Sequence, residues 1–313
     1  MTSERSLRDV VGAYMLRLAE IDDRVIVVNA DLSGTCRTRD FVKKYPERAF
    51  NVGIAEQNMV SFSAGLAHEG FIPYAFSMAS FISMRACEQC RTDVAYGNLP
   101  VRLVATYSGC SGGISGPTHW ALEDCGIMCS IPNITVLEPC DAIQAERMLD
   151  FSLSFEKPMY IRTSILESRD IYHEDYNFVY GKANVPREGK DASFICSGVT
   201  VQYAIEASEL LKNNFGVDIK VIDMHTIKPI DKNVIVEAAH MGPVLIAHDH
   251  NTIGGLGSQV ARVISESGTS TKFKILGVLD KFVPCSHAEY LYSLFEYDVD
   301  GLYKNMAKLL ELY

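Results

Sequence analysis

The sequence predicts an α/β protein of two doubly wound domains. Three observations carry that prediction. Short β-branched runs alternate with amphipathic stretches, which is the pattern of mostly parallel sheets covered by helices. The alternation breaks near residues 165–190, where a charged and aromatic stretch has no clean period, and then restarts. The length of 313 residues also exceeds what one ordinary core fills. The expected division is a first domain over residues 1–170, a linker over 171–190 and a second domain over 191–313.

In the first domain, Val25-Ile-Val-Val28 reads as a buried strand, with Asn29-Ala-Asp-Leu-Ser33 at its carboxyl end. Val101-Arg-Leu-Val-Ala105 is a second strand and runs into a glycine-rich loop; Ile134-Thr-Val-Leu137 and Met159-Tyr-Ile161 are two more. Asp141 caps a helix carrying Ile143, Ala145, Met148 and Leu149. In the second domain the strands are Phe194-Ile-Cys196, Val221-Ile222, Val244-Leu-Ile-Ala247 and Phe273-Lys-Ile-Leu276. Helices are expected over 201–213, 231–240, 255–267 and 299–312. Ligands of open α/β sheets gather beyond the carboxyl ends of the strands. That rule puts Asp31 to Thr35, Tyr107 to His119 and Arg162 to Ser164 on one rim.

The net charge of −10 argues against nucleic acid, whose phosphates need a basic surface. Met1-Thr2-Ser3-Glu4-Arg5 lacks the basic-then-apolar pattern of a signal peptide, and no apolar run approaches the ~20 residues of a membrane span. Nine irregularly spaced cysteines suit a reducing, cytoplasmic compartment better than a disulfide framework. Cys87 and Cys90 form a C-x-x-C, but Arg85-Ala-Cys-Glu-Gln-Cys-Arg91 has no turn residues to shape a metal knuckle. Buried helical thiols are the better reading.

Three segments have chemical potential. In Asn51-Val-Gly-Ile-Ala-Glu-Gln-Asn-Met59, Glu56 opens a helix whose apolar face is expected to carry Met59, Phe62 and Leu66. A glutamate there is either a solvated partner of the helix dipole or, among Val52, Gly53, Ile54 and Ala55, a desolvated carboxyl suited to proton chemistry. In Gly109-Cys-Ser-Gly-Gly-Ile-Ser-Gly-Pro-Thr-His119, an irregular loop ends where Thr118 is expected to cap a helix starting at His119, with Glu123 and Asp124 in its early turns. His119 is either a proton shuttle or a structural residue. In Ile253-Gly-Gly-Leu-Gly257 the glycines suit tight strand-to-helix packing rather than a phosphate cradle. His248-Asp249-His250 would direct both histidines to one side of a strand and Asp249 to the other. His68 and His225 are expected to be structural.

Taken together and in this order, these segments resemble the transketolase family. Asn51 to Met59 is similar to the signature around the family's catalytic glutamate, Gly116-Pro-Thr-His119 to its second signature, and Ala30-Asp-Leu32 to its aspartate segment. The likeness continues through Pro73 to Arg91, Ile131-Pro-Asn133 to Pro139, Thr226-Ile-Lys-Pro229 and Gly254-Gly-Leu-Gly257. The Gly-Asp-Gly motif with which the family holds a divalent metal and the diphosphate of its cofactor is not present. The chain therefore resembles the carboxyl-half subunit of a split transketolase: a pyrimidine-binding domain followed by the family's C-terminal domain.

The resemblance implies thiamine diphosphate as cofactor, with Mg2+ or another divalent cation held mainly by an amino-terminal-type partner subunit in a complex of two copies of each chain. Glu56 would bond the aminopyrimidine ring and favour the imino tautomer that takes the thiazolium proton. A two-carbon ketol unit would pass from a ketose to an aldose. Phe81 would lie against the pyrimidine, with Met78 at a second, usually aromatic, position; Asp31 and Ile54 join the cofactor-binding set. His119 would contact substrate hydroxyls or the intermediate, and Arg162 would bind a substrate phosphate. Ser115 stands where relatives usually have aspartate, and Tyr107 where they often have histidine. Both are substrate-binding positions, so the expectation is an atypical sugar: non-phosphorylated, sulfonated or branched. Competing readings are the beta subunit of a 2-oxo acid dehydrogenase, a deoxyxylulose-phosphate synthase-like activity, and a non-catalytic regulatory paralogue.

Overall fold

A computed structural model describes residues 4–313; the opening Met1, Thr2 and Ser3, read above for a signal peptide, lie outside them. Two large sheets organise the described residues, beside a two-stranded antiparallel pair of Glu4–Ser6 with Glu167–Arg169. The first has seven strands in the spatial order Thr226–Lys228, Thr135–Leu137, Met159–Thr163, Arg102–Thr106, Ile72–Met78, Val25–Asn29, Ala49–Asn51. The second has five: Phe273–Val278, Val244–Asn251, Ala192–Cys196, Ile219–Asp223, Asn184–Arg187. Both are parallel except for one antiparallel edge strand each, Thr226–Lys228 and Asn184–Arg187. Helices cover both faces, as the α/β reading requires.

The residue period explains why helices cover both faces. Along Val25–Asn29, Val25 and Val27 enter a core with Leu7, Val11 and Met15 of the first helix, while Ile26 and Val28 enter a core with Met59 and Val60 on the opposite face. Every residue of the strand is buried, so it reads as an unbroken apolar run. Asp141 caps the helix Ala142–Ser152 as expected, its side chain accepting the Gln144 amide. The helices Thr200–Phe215, Lys232–Met241, Leu256–Ser267 and Val299–Leu309 lie close to their expected spans.

Four expectations are corrected. The stretch 171–190 is not a free linker. Asn184–Arg187 is a strand of the second sheet, the amides of Ile171 and Tyr172 both donate to Asp141 at 2.7 Å, and the Tyr172 hydroxyl donates to Asp223 at 2.8 Å. The segment Thr226–Lys228 lies within the second half but completes the edge of the first sheet. The helix Glu56–His68 buries Met59, Val60, Ser63, Ala64 and Ala67, whereas Phe62 turns outward and meets Phe50 edge-on at 5.2 Å. Small side chains let the helix sit close to its sheet, so its bulkiest aromatic faces away. Finally, no helix begins at His119. His119 instead closes a turn at 117–119, and Gly109 and Ala121 exchange two backbone hydrogen bonds of 3.1 Å before the helix Asp124–Ser130 begins.

Candidate active site

Glu56 is positioned by the end of a strand. Asn51 closes Ala49–Asn51, and its side-chain oxygen accepts the amides of Asp31 at 2.9 Å and Gly53 at 3.1 Å. Its amide nitrogen donates to the Asp31 carboxylate at 3.1 Å. One asparagine therefore ties two strand ends together and shapes the turn before the helix. Gly53 sits at φ 77, a conformation that side chains resist. The turn leaves Ile54 77% exposed and drops Glu56, the first residue of the helix, to 1% exposure. The solvated-dipole reading of Glu56 is thereby removed. Its carboxylate accepts from Ser77 Oγ at 3.4 Å and from Arg85 Nη1 at 2.6 Å.

Arg85 belongs to a turn of π-helix, Phe81–Arg85. Such one-turn irregularities recur at functional sites. Its guanidinium carbon lies 4.2 Å from the Phe81 ring centroid. The far edge of the group is His119, whose ring meets Phe81 edge-on at 5.5 Å and whose carbonyl accepts from Ser80 Oγ at 3.3 Å. Thr118 Oγ1 stands 2.9 Å from His119 Nδ1. Met78 is buried and pairs with Thr106 across the sheet at the end of Ile72–Met78. The structure thus brings Glu56, Phe81 and His119 together beyond the carboxyl ends of parallel strands.

Asp31 and Tyr107 meet at a concavity of about 480 Å3, lined also by Arg8, Arg37 and Arg39. Arg8 Nη1 donates to the Tyr107 hydroxyl at 3.1 Å. Arg37 pairs with Asp9 at 2.8 Å. Ser115 is exposed on the turn Gly113–Ser115, and a Cβ on Gly113 would meet the Ala288 amide at 3.1 Å. Among the described residues, no hydrogen bond or ring contact joins Ser115 to Glu56, Phe81 or His119.

The expectation that Arg162 binds a substrate phosphate is corrected. Its side chain is 0% exposed, and every guanidinium nitrogen is engaged. Nε donates to Asp124 at 2.8 Å, Nη1 to Glu138, and Nη2 to the carbonyls of Ala121 at 3.1 Å and Asp249 at 2.6 Å. Burial works to raise the Glu138 carboxyl, yet Arg162 and His248 outweigh it and hold it down at about 2. His248 Nε2 lies 2.8 Å from Glu138, and its ring stacks on that of His250 at 5.3 Å. Asp249 points the other way and accepts from the Cys110 amide at 2.8 Å and from the hydroxyls of Tyr292 and Tyr297 at 2.6 and 2.9 Å. The His-Asp-His run is therefore a buried polar corner where the second sheet anchors the loop that ends in His119. The loop comes so close that a Cβ on Gly109 would lie 2.0 Å from the Asp249 carboxyl carbon.

The glycines of 253–257 serve packing, since a Cβ on Gly257 would strike Ile275 at 2.6 Å. Among the described residues, Cys87 and Cys90 belong to no cluster with metal-ligand geometry. Sequence reasoning gave no role to Asn51, Arg85 or Arg8. Asn51 and Arg85 lie inside segments that carried the resemblance, but their contacts depend on the turn at Gly53 and on the π-helical turn, which no periodicity reveals.

Comparison with known proteins matches the family description "Transketolase, pyrimidine binding domain" to residues 3–169 and "Transketolase, C-terminal domain" to residues 181–302. The chain belongs to the transketolase family. Among its transketolase relatives, the putative transketolase C-terminal section of Methanocaldococcus jannaschii is 36% identical over 306 residues, covering 97% of this chain and 96% of that one. The 6-deoxy-6-sulfo-D-fructose transketolase subunit SqwH of Clostridium sp. is 36% identical over 289 residues, 92% of this chain and 89% of its own. A solved structure described as a split gene transketolase, inactive beta4 tetramer, superposes with a TM-score of 0.88 at 34% identity and covers 99% of both chains. The transketolase family thus accounts for both domains, and the chain spans nearly the full length of these relatives.

Proposed function

We propose that this chain is the carboxyl-half subunit of a two-chain transketolase that moves a two-carbon ketol unit from a ketose to an aldose with thiamine diphosphate. The observation that carries this reading is the burial of Glu56 at the start of its helix, linked through Arg85 to the Phe81 face, whose ring in turn meets His119. A carboxyl held this dry beside an aromatic face fits an aminopyrimidine ring, which needs a stacking surface and a partner for its ring nitrogen. When bound, thiamine diphosphate supplies the carbon nucleophile that opens the bond beside a ketose carbonyl.

The chain's own residues do the rest. Glu56 holds the proton balance of the aminopyrimidine; Phe81 and Met78 bear on the ring; Ile54 closes its exposed side. His119 stands where a sugar hydroxyl can be held, and Asp31, fixed by Asn51, faces the neighbouring concavity. Arg8, Arg37 and Arg39 around that concavity favour a sugar with an anionic end, phosphate or sulfonate, and Tyr107 and Ser115 adjust its fit. The diphosphate and its metal belong to an amino-terminal-type partner, in an assembly of two copies of each chain. Nine free cysteines, most of them buried, suit a cytoplasmic setting; no helix among the described residues is long and apolar enough to cross a membrane.

The test is to purify the chain with its partner, add thiamine diphosphate and Mg2+, and follow aldose release from a panel of ketoses. Release that requires both chains supports the reading. Loss of carbon dioxide from a 2-oxo acid, with no ketose reacting, would replace it with the dehydrogenase-type activity.

A further inference from the structure

Arg85 satisfies two demands that the same site would place on a bound aminopyrimidine. A planar, hydrogen-bonding heterocycle would stack on Phe81 and engage Glu56. The Arg85 guanidinium, also planar and rich in donors, lies 4.2 Å from the Phe81 centroid and donates to Glu56 Oε2 at 2.6 Å. Both contacts come from one side chain because the turn Phe81–Arg85 brings its first and last residues to one side. We propose that Arg85 occupies the aminopyrimidine seat in the chain by itself, and that the cofactor must displace it; this rests on the functional reading given above.

The pair is lopsided in a way that suits displacement. The Glu56 side chain is 1% exposed and fixed at a helix start, whereas the Arg85 side chain keeps 46% of its surface in water. Without a cation or a ring beside it, Glu56 would be a buried carboxylate with only the long Ser77 contact of 3.4 Å. Arg85 therefore steadies the chain before assembly, and its guanidinium can turn into solvent when the ring arrives. Two consequences of opposite sign follow. Removing Arg85 destabilises the isolated chain, and it tightens cofactor binding in the complex, because a seat already occupied lowers apparent affinity by the fraction of time it is occupied.

The experiment is calorimetric titration of thiamine diphosphate, with Mg2+ present, into the two-chain complex carrying wild-type Arg85, Arg85→Met or Arg85→Lys. Melting of the isolated chains is recorded in parallel. The expected result is a Kd about three- to tenfold lower for Arg85→Met, with a lower Tm of its isolated chain. Arg85→Lys, which keeps the charge but loses the flat donor fork, falls between the two. Should Arg85→Met not fold, a Kd for Arg85→Lys at or above wild type overturns the inference. Equal or weaker binding by a folded Arg85→Met also overturns it and makes Arg85 a cofactor ligand or a bystander. If the wild-type complex takes up no thiamine diphosphate, the functional reading itself has failed and the inference falls with it.

Discussion

Arg162 donates through Nε to Asp124 at 2.8 Å, and the same guanidinium engages Glu138 from a different strand end. All three side chains are at most 4% exposed. Removing the cation leaves two buried carboxylates facing each other, so Arg162→Met is expected to cost about 3–5 kcal/mol in chemical denaturation. Arg162→Lys should rescue little, because one ammonium cannot span both carboxylates and two carbonyls. A stable Arg162→Met whose only defect is a raised KM for phosphorylated sugars would restore the substrate role.

Gly109 stands at φ 58 with Asp249 pressed against it. Gly109→Ala is expected to push the loop away from Asp249, breaking the hydrogen bond that the Cys110 amide donates to it and loosening the segment that ends at His119. Turnover should fall more than global stability. Hydrogen exchange at 109–121 would read the loosening directly, and unchanged protection there would contradict it.

His225 should make stability depend on pH. Burial lowers its pKa from 6.5 to about 4. The unfolded chain therefore takes the proton first as pH falls, and stability present above the unfolded value is lost between 6.5 and about 4. The loss from pH 7 to 5 is about 2 kcal/mol. His250, lowered to about 3 mainly by burial, acts with the same sign; Asp223, raised by burial to about 7, acts against it. Comparing His225→Phe with wild type isolates the His225 share. The substituted ring still faces Phe178, so the variant's denaturation midpoint should vary less over that range.

Arg8 reaches the Tyr107 hydroxyl at 3.1 Å beside Arg37 and Arg39. If this concavity receives the anionic end of a sugar, Arg8→Ala raises KM for a phosphorylated or sulfonated donor about tenfold or more and leaves kcat much less changed. Donors without an anionic group should respond weakly. An equal effect on both kinds of donor would show that Arg8 only supports the fold.

The sequence made the β-branched strands and the capped helices legible because their signals are local. Val25–Asn29 is apolar throughout, and Asp141 sits one residue before its helix. The central strand Ile72–Met78 escaped notice, since proline, tyrosine and serine interrupt its apolar run although all seven residues are buried. The return of Thr226–Lys228 to the first sheet is a long-range pairing with no local mark. In the site, the glutamate segment and the loop to His119 could be read as motifs. The fate of Arg162 could not, because Asp124 and Glu138, which take up its guanidinium in place of a substrate phosphate, arrive from elsewhere in the chain. Arg85 was hidden for a related reason: its bond to Glu56 spans 29 positions.

The most direct test is Glu56→Gln, which keeps the shape of the side chain and its place at the helix start but removes the carboxylate. In the two-chain complex with thiamine diphosphate and Mg2+, ketol transfer from the best donor should fall about 100-fold or more, with the complex still assembled by size-exclusion chromatography. Turnover within a few-fold of wild type would contradict the assignment of Glu56 as the group that controls the cofactor's proton, and with it the proposed active site.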